Sequence, residues 1–500
     1  MRPAFDRLAF GISGSVLVGF VAAAFLNAEW TASAIQQLSS ACNRAFGAFW
    51  QVLVLATTGV AALIAASPAG ARRLGGRSEP EMSTAKWVAV ILCTLLAGGG
   101  VFWSAAEPLY HFTTPPPTYP TVEAHSLRAA NAALSQSFLH WGFLAWSVVG
   151  TLGAVAILLL SEDGQVPFRP SSLLIPSLGR SFIETRWASL VDGLSIIATA
   201  AGTIGPMGFL GLQLACAFES LFGVPNAWPS QLSVLAALVS VSTLSALSGI
   251  NRGIQWLSRF NVVLAIALAG CLLVFGPGAF ITDRFIEAMG LYVRDLAHLA
   301  TFRADPGWLG DWTVFYWGWF IGYGPLMSLF VARISRGRTV REVVIAVGVV
   351  APLLTNFWFS VLGGTGLHLE MQTPGSVTSP LSEDGLPAAL LAIVTQLPLA
   401  SVLVPGFLIL IFVFLATSAD SISYSIAMIV SREETPPPLL RGFYCVSMGA
   451  VAGALMLMGE GSVRALQSFI VVTAVPVSIL MATLVFTVPS LLFAKVRDAT

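Results

Sequence analysis

Charge is what this chain has least of. Only 10% of its 500 residues are Asp, Glu, Lys or Arg, and 25 basic residues balance 25 acidic ones. A neutral chain without a basic patch offers nothing to a phosphate backbone, which excludes nucleic acid as a partner. Cysteine is also scarce. Four of the five (Cys93, Cys216, Cys271, Cys445) fall in apolar runs and only Cys42 lies outside them, so no disulfide framework is implied. There is no pair of catalytic carboxylates, no His-x-x-Glu-His zinc pattern and no Gly-x-Ser-x-Gly elbow, which argues against an intramembrane enzyme. No phosphate-binding loop marks an ATP-driven pump, and no organic cofactor is implied. Nor is there a polar stretch long enough for a soluble domain.

Apolar length is what remains. The chain is 56% hydrophobic with a mean hydropathy of +0.81, more apolar surface than a soluble protein of this size can bury. A membrane crossing takes about 20 apolar residues. Twelve segments qualify: 8–26, 47–66, 87–108, 136–160, 187–220, 231–248, 254–275, 308–331, 343–362, 403–430, 442–458 and 466–493. The first is too long for a cleavable signal and no soluble chain follows it. Basic residues orient the spans. With a cytoplasmic N-terminus, only six of the 25 (Arg44, Arg128, Arg284, Arg294, Arg303, Arg464) fall outside, and nineteen fall inside. The chain is expected in the inner (plasma) membrane among its lipids, multi-pass, with both termini cytoplasmic.

The connecting segments differ. Residues 111–135, with Pro115-Pro116-Pro117, read as a rigid irregular loop. Residues 281–300 read as an amphipathic helix at the outer surface. Phe285, Met289, Val293 and Leu296 form its apolar face, and Asp283, Arg284, Glu287, Arg294 and Asp295 lie on others. Residues 364–398 hold turn residues, then an apolar stretch around Leu390 that dips back as a short helix.

Two spans carry helix-weakening residues at their middles. The third has Ala97-Gly98-Gly99-Gly100, and the eighth has Gly322 and Gly324-Pro325. The bland reading is close helix packing. Unwound backbone in a membrane survives where it lines a cavity, and matching breaks in inverted repeats point to a carrier's binding site. The two spans are five apart, so spans 3–7 and 8–12 form two blocks of opposite direction. The expected organisation is two helices (1–86), a first repeat (87–277), the outer helix (278–307), a second repeat (308–493) and a short tail (494–500). Twelve spans with two breaks and no pore-loop signature favour a carrier over a channel.

The eighth span is the richest. In Asp311-Trp312-Thr313-Val314-Phe315-Tyr316-Trp317-Gly318-Trp319-Phe320-Ile321-Gly322-Tyr323-Gly324-Pro325, seven of fifteen residues are aromatic. An interfacial belt accounts for Trp308 and Trp312. It does not account for Trp319, Phe320 and Tyr323, two to three turns deeper, where aromatic faces offer a bed for a desolvated cation such as a quaternary ammonium.

This segment resembles the signature of the betaine/choline/carnitine transporter family, D-W-T-x-F-Y-W-x-W-W. Residues 332–342, Ala-Arg-Ile-Ser-Arg-Gly-Arg-Thr-Val-Arg-Glu, look like that family's inner loop, and His140-Trp141-Gly142 with Trp146 like its fourth span. Glu107-Pro108, Gly253-Ile254 with Leu257-Ser258 and Asn261, and Thr417-Ser418-Ala419-Asp420-Ser421 also fit. The resemblance covers spans three to ten. It implies an all-α polytopic, LeuT-like five-plus-five inverted repeat behind two leading helices, assembled as a homotrimer. It also implies a secondary carrier importing a small molecule, a quaternary ammonium compound or related compatible solute, by alternating access. On the family's pattern Trp141 and Trp146 of span four and Trp319 of span eight match the aromatic cage. Phe320 and Tyr323 replace tryptophans, and Val149 stands where a tyrosine is usual. With this thinner box, a larger onium, or a zwitterion such as ectoine or proline, is an alternative to glycine betaine. Ala97, Gly98, Gly99 and Gly100 would offer backbone N–H groups to a substrate carboxylate.

The family's sodium carriers place a Thr-Ser pair where Thr417 and Ser418 stand, with the carbonyls of Phe414 and of span three near Leu96. Sodium-independent exchangers fill that place with an arginine, which here is Val262. That favours one sodium as the coupling ion. Met327, one turn past Tyr323, resembles the exchanger branch, and Gly205-Pro206-Met207-Gly208 lacks the hydroxyls of a second sodium site. The bland reading of Thr417 is a bond to its own helix. Asp192 and Asp420 are intramembrane carboxylates. Asp192 is expected to reach water at the inner end and Asp420 to hold local polar structure. His140 reads as a packed, hydrogen-bonded histidine. Short charged ends at both termini lead to an expectation of constitutive transport.

Overall fold

In hydrocarbon every backbone N–H and C=O must be paired within its own segment, which leaves helices as the economical solution for these apolar runs. The computed structural model describes residues 5–96, 99–162, 164, 166–248, 251–458 and 462–497. Among the described residues it is helical, with turns and one isolated antiparallel bridge between Arg73 and Thr339. α1 (Arg7–Leu26) and α2 (Ala28–Ala66) lead. The third span is α3 (Thr84–Leu96) and α4 (Gly100–Thr113), and the fourth is α5 (Leu127–Trp141), α6 (Phe143–Gly150) and α7 (Leu152–Ser161). After a short α8 (Ile175–Leu178) come α9 (Arg186–Phe222), α10 (Trp228–Ser248) and α11 (Asn251–Phe275). α12 (Gly278–Thr301) separates the halves. α13 (Pro306–Asp311) and α14 (Thr313–Ile334) form the eighth span. α15 (Val340–Ile345) runs through a π-helical turn into α16 (Ala351–Gln372). α17 (Thr378–Asp384) and α18 (Ala389–Val394) precede the last three spans, α19 (Ala400–Ser431), α20 (Pro438–Met456) and α21 (Ser462–Arg497). Among the described residues eleven helices are long and apolar enough to cross a membrane. The third span, divided into pieces of 13 and 14 residues, completes the twelve. The short helix around Leu390 is α18, and Leu390 is buried in it.

Helix neighbours exchange when the two blocks are exchanged. α4 packs on α16 as α14 packs on α6, and α9 packs on α21 as α19 packs on α11. α10 faces α20 and α9 faces α19. This is the pattern an inverted repeat requires. α5 to α7 and α9 are almost wholly buried, whereas α1 turns Leu26 outward, α10 Leu244, and α11 Trp256, Val263, Ile266 and Val274, as suits helices facing lipid.

Four expectations change. α14 is not broken at Gly322 or Gly324-Pro325 but runs unbroken through them. Its glycines make room. A Cβ on Gly318 would lie 2.5 Å from the Trp50 ring and one on Gly324 2.8 Å from Met481, so close packing on α2 and α21 explains these two, whereas Gly322 has ordinary space around it. Pro325 costs one backbone donor, which a buried helix tolerates. The eighth span is interrupted instead at Trp312, between α13 and α14. Trp312 is no belt residue, because it is buried against Trp103, Tyr110 and His111. In α12 the buried stripe is Ile281, Arg284, Ala288, Tyr292 and Leu299, one step round from the expected face. Val293 is exposed, and Arg284 pairs with Glu287 at 2.6 Å. α2 starts at Ala28, well before residue 47, because its first half is polar but still helix-forming. At 39 residues it is about 58 Å long against a hydrocarbon core of about 30 Å.

The loop after α14 is clamped. Arg338 donates to the Met82 carbonyl (2.7 Å) and the Thr84 hydroxyl (2.9 Å) and lies over the Trp87 ring, whose Nε1 donates to Ser335. Asp6 forms a second clasp. Its carboxylate caps α1 at the Ala9 amide and accepts from Ser189 of α9 (2.8 Å) and from Arg432, which follows α19 (2.7 Å). Burial alone would push the Asp6 carboxyl up. The Ala9 amide, Ser189 and Arg432 outweigh burial and hold it below its ordinary value. A lowered folded value means stabilisation that is complete above the unfolded-chain value of about 3.9 and is lost as pH falls through the folded one. Asp6→Asn, which keeps the cap, should therefore lower the melting temperature at neutral pH, and its deficit against wild type should shrink as the pH drops below about 4. Asp6→Ala should cost about 1 kcal/mol more through loss of the cap. Thermal unfolding across that pH range checks both, and a deficit that does not change with pH would show the charge to be irrelevant.

Candidate functional site

The site is built where the third span is interrupted. α3 ends at Leu96 and α4 starts at Gly100, with Gly99 as its N-cap. The φ of Gly99 is −171°, extended backbone that any residue adopts. What requires glycine is space, since a Cβ there would lie 2.4 Å from Cη2 of Trp319. The Trp319 indole donates from Nε1 to the Gly202 carbonyl of α9 at 3.1 Å. That carbonyl is available because its helical donor would be residue 206, and Pro206 has no N–H. Gly202 also admits Tyr323, as a Cβ would sit 2.4 Å from its ring, and the Tyr323 hydroxyl bonds Thr203 at 2.9 Å. The pattern Gly202-Thr203-x-x-Pro206 thus seats two aromatic residues of α14. Sequence reasoning missed it, although the proline four residues after a glycine was the available signal.

Trp141 closes the other side. It is the last residue of α5, before Gly142, where a Cβ would lie 2.1 Å from the Phe138 carbonyl oxygen and 3.0 Å from the Tyr292 hydroxyl. Its ring meets Trp319 at 5.7 Å and Phe320 at 5.5 Å, both edge-on, and Phe359 of α16 at 5.1 Å. Tyr316 stacks parallel to Trp319, and Phe209 of α9 touches Trp319 from behind. Phe359 and Phe209 were not expected from sequence. Trp141, Trp319 and Phe320 are therefore brought together, and Tyr323 stands one turn along the same helix. Trp146 is not brought together with them. Beyond the interruption at Gly142 it is buried with an unpartnered indole N–H, and it makes no ring contact with these residues among those described. Met327 is buried further along α14. Ala97, Gly98 and the side chain of Leu96 lie outside the described residues. The Gly100 carbonyl accepts from Trp358 Nε1 at 3.1 Å.

Thr417, Asp420, Asp192 and His140 each have partners within the protein. The Thr417 hydroxyl donates to the Val413 carbonyl at 2.8 Å and also contacts that of Phe414, and Ser418 is half-buried beside it. Asp420 pairs with Arg441 at 3.0 Å, both buried. Asp192 does not reach water. It is buried, accepting from the Ser171 amide and hydroxyl with Arg169 at 3.6 Å. His140 is hydrogen-bonded on both ring nitrogens. The hydroxyls nearest the Gly205 segment on the fifth span are Thr199 and Thr203, which precede it.

Among known families, residues 8–496 match the one described as BCCT, betaine/carnitine/choline family transporter. The chain is 45% identical over 489 residues to "Glycine betaine transporter 2" of Vibrio parahaemolyticus, covering 98% of this chain and 90% of the relative. It is 32% identical to the "Ectoine/glycine betaine/proline transporter EctP" of Corynebacterium glutamicum, covering 87% of this chain and 71% of the relative. A solved outward-open structure of a Na+-coupled sialic acid symporter aligns with 90% of this chain and 87% of its own. The TM-score is 0.48 and the identity 12%.

Proposed function

The chain belongs to the betaine/carnitine/choline transporter family, and from that membership we propose that it imports glycine betaine or a related compatible solute through the aromatic site, coupled to one sodium ion. It is a multi-pass secondary transporter and not an enzyme. The observation that carries the substrate reading is the convergence of Trp141, Trp319 and Phe320 beside the interrupted third span. The Trp141 ring meets the other two edge to face. An onium group entering between them would exchange ring–ring contacts for cation–π contacts in a buried site. Backbone N–H groups of Ala97 to Gly100 would face a carboxylate at the other end of the solute. Tyr323 and Met327 extend the wall along α14. Names borne by relatives support both an onium and a cyclic zwitterion as substrate class, and Phe320, a weaker cation–π face than tryptophan, keeps ectoine and proline in play.

In this reading sodium sits among Thr417, Ser418 and the carbonyls of Phe414 and Leu96, with Val262 supplying no built-in cation. One observation favours the second reading, a sodium-independent exchanger. Met327, buried one turn past Tyr323, stands where the exchanger branch carries a methionine. Uptake of glycine betaine into proteoliposomes under imposed gradients separates the two. Uptake should collapse when potassium replaces sodium at constant osmolality, and Thr417→Ala with Ser418→Ala should raise the sodium requirement about tenfold or more, roughly the loss of one ion-bound hydroxyl. Equal uptake with and without sodium, in wild type and variant alike, would leave the exchanger. The excess of basic residues on one side supports cytoplasmic termini in an inner membrane. The family pattern supports a homotrimer, which native mass measurement in lipid would check.

A further inference from the structure

The buried carboxylates of the spanning helices are neutralised in different ways. Asp420 has Arg441 and Asp192 has Arg169. Glu370, near the end of α16, accepts from the amides of Gly375, Val377 and Thr378. Glu107 of α4 is wholly buried, and its ion-pair partners among the described residues are two histidines. His140 Nδ1 lies 2.5 Å from Oε1, and His111 Nε2 lies 3.7 Å from the same oxygen. A buried carboxylate without a fixed counter-charge is costly. Here the counter-charge is of the kind that comes and goes with a proton.

The hydrogen bonds divide the labour between the histidines. The Thr118 hydroxyl donates to Gln136 Oε1, which turns the Gln136 amide nitrogen toward His140 Nε2 at 3.0 Å. His140 Nε2 is then an acceptor, within 2.9 Å of the Thr313 hydroxyl as well, and the ring's own proton sits on Nδ1, facing Glu107. His140 therefore donates to Glu107 from Nδ1. His111 is different. Both its ring nitrogens are buried with no hydrogen-bond partner, an expensive state for a neutral imidazole. Its ring packs on Trp312 at 4.4 Å and Trp308 at 5.8 Å; burial and nearby His140 oppose a charge on His111, and the Glu107 carboxylate with these aromatic faces is what offsets that cost. The remaining Glu107 oxygen, Oε2, accepts from the indole Nε1 of Trp141 at 3.1 Å.

We propose that His111, with Glu107 as its counter-charge, is a proton-binding site linked through Trp141 to the substrate site. A proton taken up on a free nitrogen of His111 makes an ion pair with Glu107, and no other bond breaks. Protonated His111 and an onium on the face of Trp141 are two cations beside one carboxylate, so each weakens the other, and by linkage substrate binding releases the proton. The linkage rests on Trp141 being a wall of the substrate site, as proposed above, whereas the proton site does not.

The other titratable groups of the surrounding elements are placed as follows. Tyr110 stands on the same helix and Tyr316 on α14 faces Glu107. On α12, Arg284 is paired with Glu287, Arg294 with Asp295, and His298 faces the Thr118 carbonyl. His368 of α16 lies against Phe280, Asp311 of α13 faces Arg464, and His125 packs on Phe112. Glu107, His111 and His140 are near enough to one another to suggest a divalent cation instead. The 2.5 Å contact between Glu107 and His140 is a hydrogen bond with no room for an ion between its atoms.

Two measurements on protein in lipid nanodiscs test this. Without substrate, tryptophan emission is followed from about pH 8 down to about pH 4, since burial disfavours the charged ring. Imidazolium next to Trp312 should quench it in one step, which disappears in His111→Gln and in Trp312→Phe. No step in wild type, or a step that survives His111→Gln, overturns the proton site, as does zinc binding lost in His111→Gln without any pH dependence. If His111→Gln does not purify as wild type does, Glu107→Gln replaces it, and the step should move to lower pH. In the second measurement glycine betaine binding is followed by calorimetry in two buffers of different ionisation heat. About one proton should be released per solute bound, with affinity rising about tenfold per pH unit across the step, and both effects should vanish in His111→Gln. A pH-independent affinity beside a clear emission step overturns the linkage. Failure of glycine betaine to bind at all counts against the proposed function, and the emission step still decides the proton site.

Discussion

Trp319→Ala is expected to weaken glycine betaine binding about thirtyfold. A desolvated cation on an indole face is worth about 2 kcal/mol or more, and each 1.4 kcal/mol is about tenfold in affinity. The reason for choosing Trp319 is structural as well as chemical. Its ring is fixed at three points, by the Gly202 carbonyl, by the edge-on contact with Trp141 and by the absence of a side chain on Gly99. A face held so firmly costs little further ordering when a ligand arrives. Trp319→Phe should fall between, since it keeps an aromatic face but loses the bond to Gly202. Calorimetric titration of purified protein gives the three affinities. Wild-type affinity in Trp319→Ala would remove this ring from the site, and with it the substrate class argued from it.

The crossings were legible because hydropathy and basic-residue bias act on whole segments, and a twenty-residue apolar run has few alternatives in water or lipid. Single glycines were not legible in the same way. The letters Gly98-Gly99-Gly100 and Gly322-x-Gly324-Pro325 look alike, yet the first accompanies an interruption and the second lies in a continuous helix. The difference is the partner. Gly318 and Gly324 are small because Trp50 and Met481 lean on them, and the identity of a residue hundreds of positions away is not written at the glycine. Gly142, which does interrupt the fourth span, sits in a motif read for its tryptophan rather than for its backbone.

The site was half legible for a related reason. Aromatic density on one span pointed to Trp319 and Phe320, and the fourth-span motif pointed to Trp141. The family's pattern also pointed to Trp146, but five residues along a helix already turn by about 140°, and the interruption at Gly142 lies between the two tryptophans. Phe359 and Phe209 come from helices whose aromatics carry no distinctive pattern. The polar groups were hardest. Thr417 next to Ser418 is equally consistent with an ion site and with a hydroxyl bonded to its own helix, because both need the same residue types.

The contrast between Gly99 and Gly322 can be put to a direct test. Gly99→Ala is expected to be severely damaging, because its Cβ would enter the space of Cη2 of Trp319 at 2.4 Å, with further ring atoms at 3.3 Å. The indole cannot swing aside without giving up its bond to the Gly202 carbonyl. Forcing a methyl into a packed site costs about 1–3 kcal/mol, and here the distortion falls on the binding face itself. Glycine betaine affinity should drop about tenfold or more, with a lower melting temperature. Gly322→Ala is expected to do neither. A Cβ there meets Ala198 and Ala474 at an ordinary 3.7 Å, and alanine in a helix interior is favoured over glycine by about 0.5–1 kcal/mol, so its melting temperature should hold or rise. Combining Gly99→Ala with Trp319→Phe, whose shorter ring leaves the contested space, should restore the melting temperature without restoring affinity beyond that of Trp319→Phe alone. If Gly99→Ala is silent and Gly322→Ala is the damaging change, the eighth span must open at its glycines during transport, and the interruption expected there from the sequence belongs to another state of the carrier.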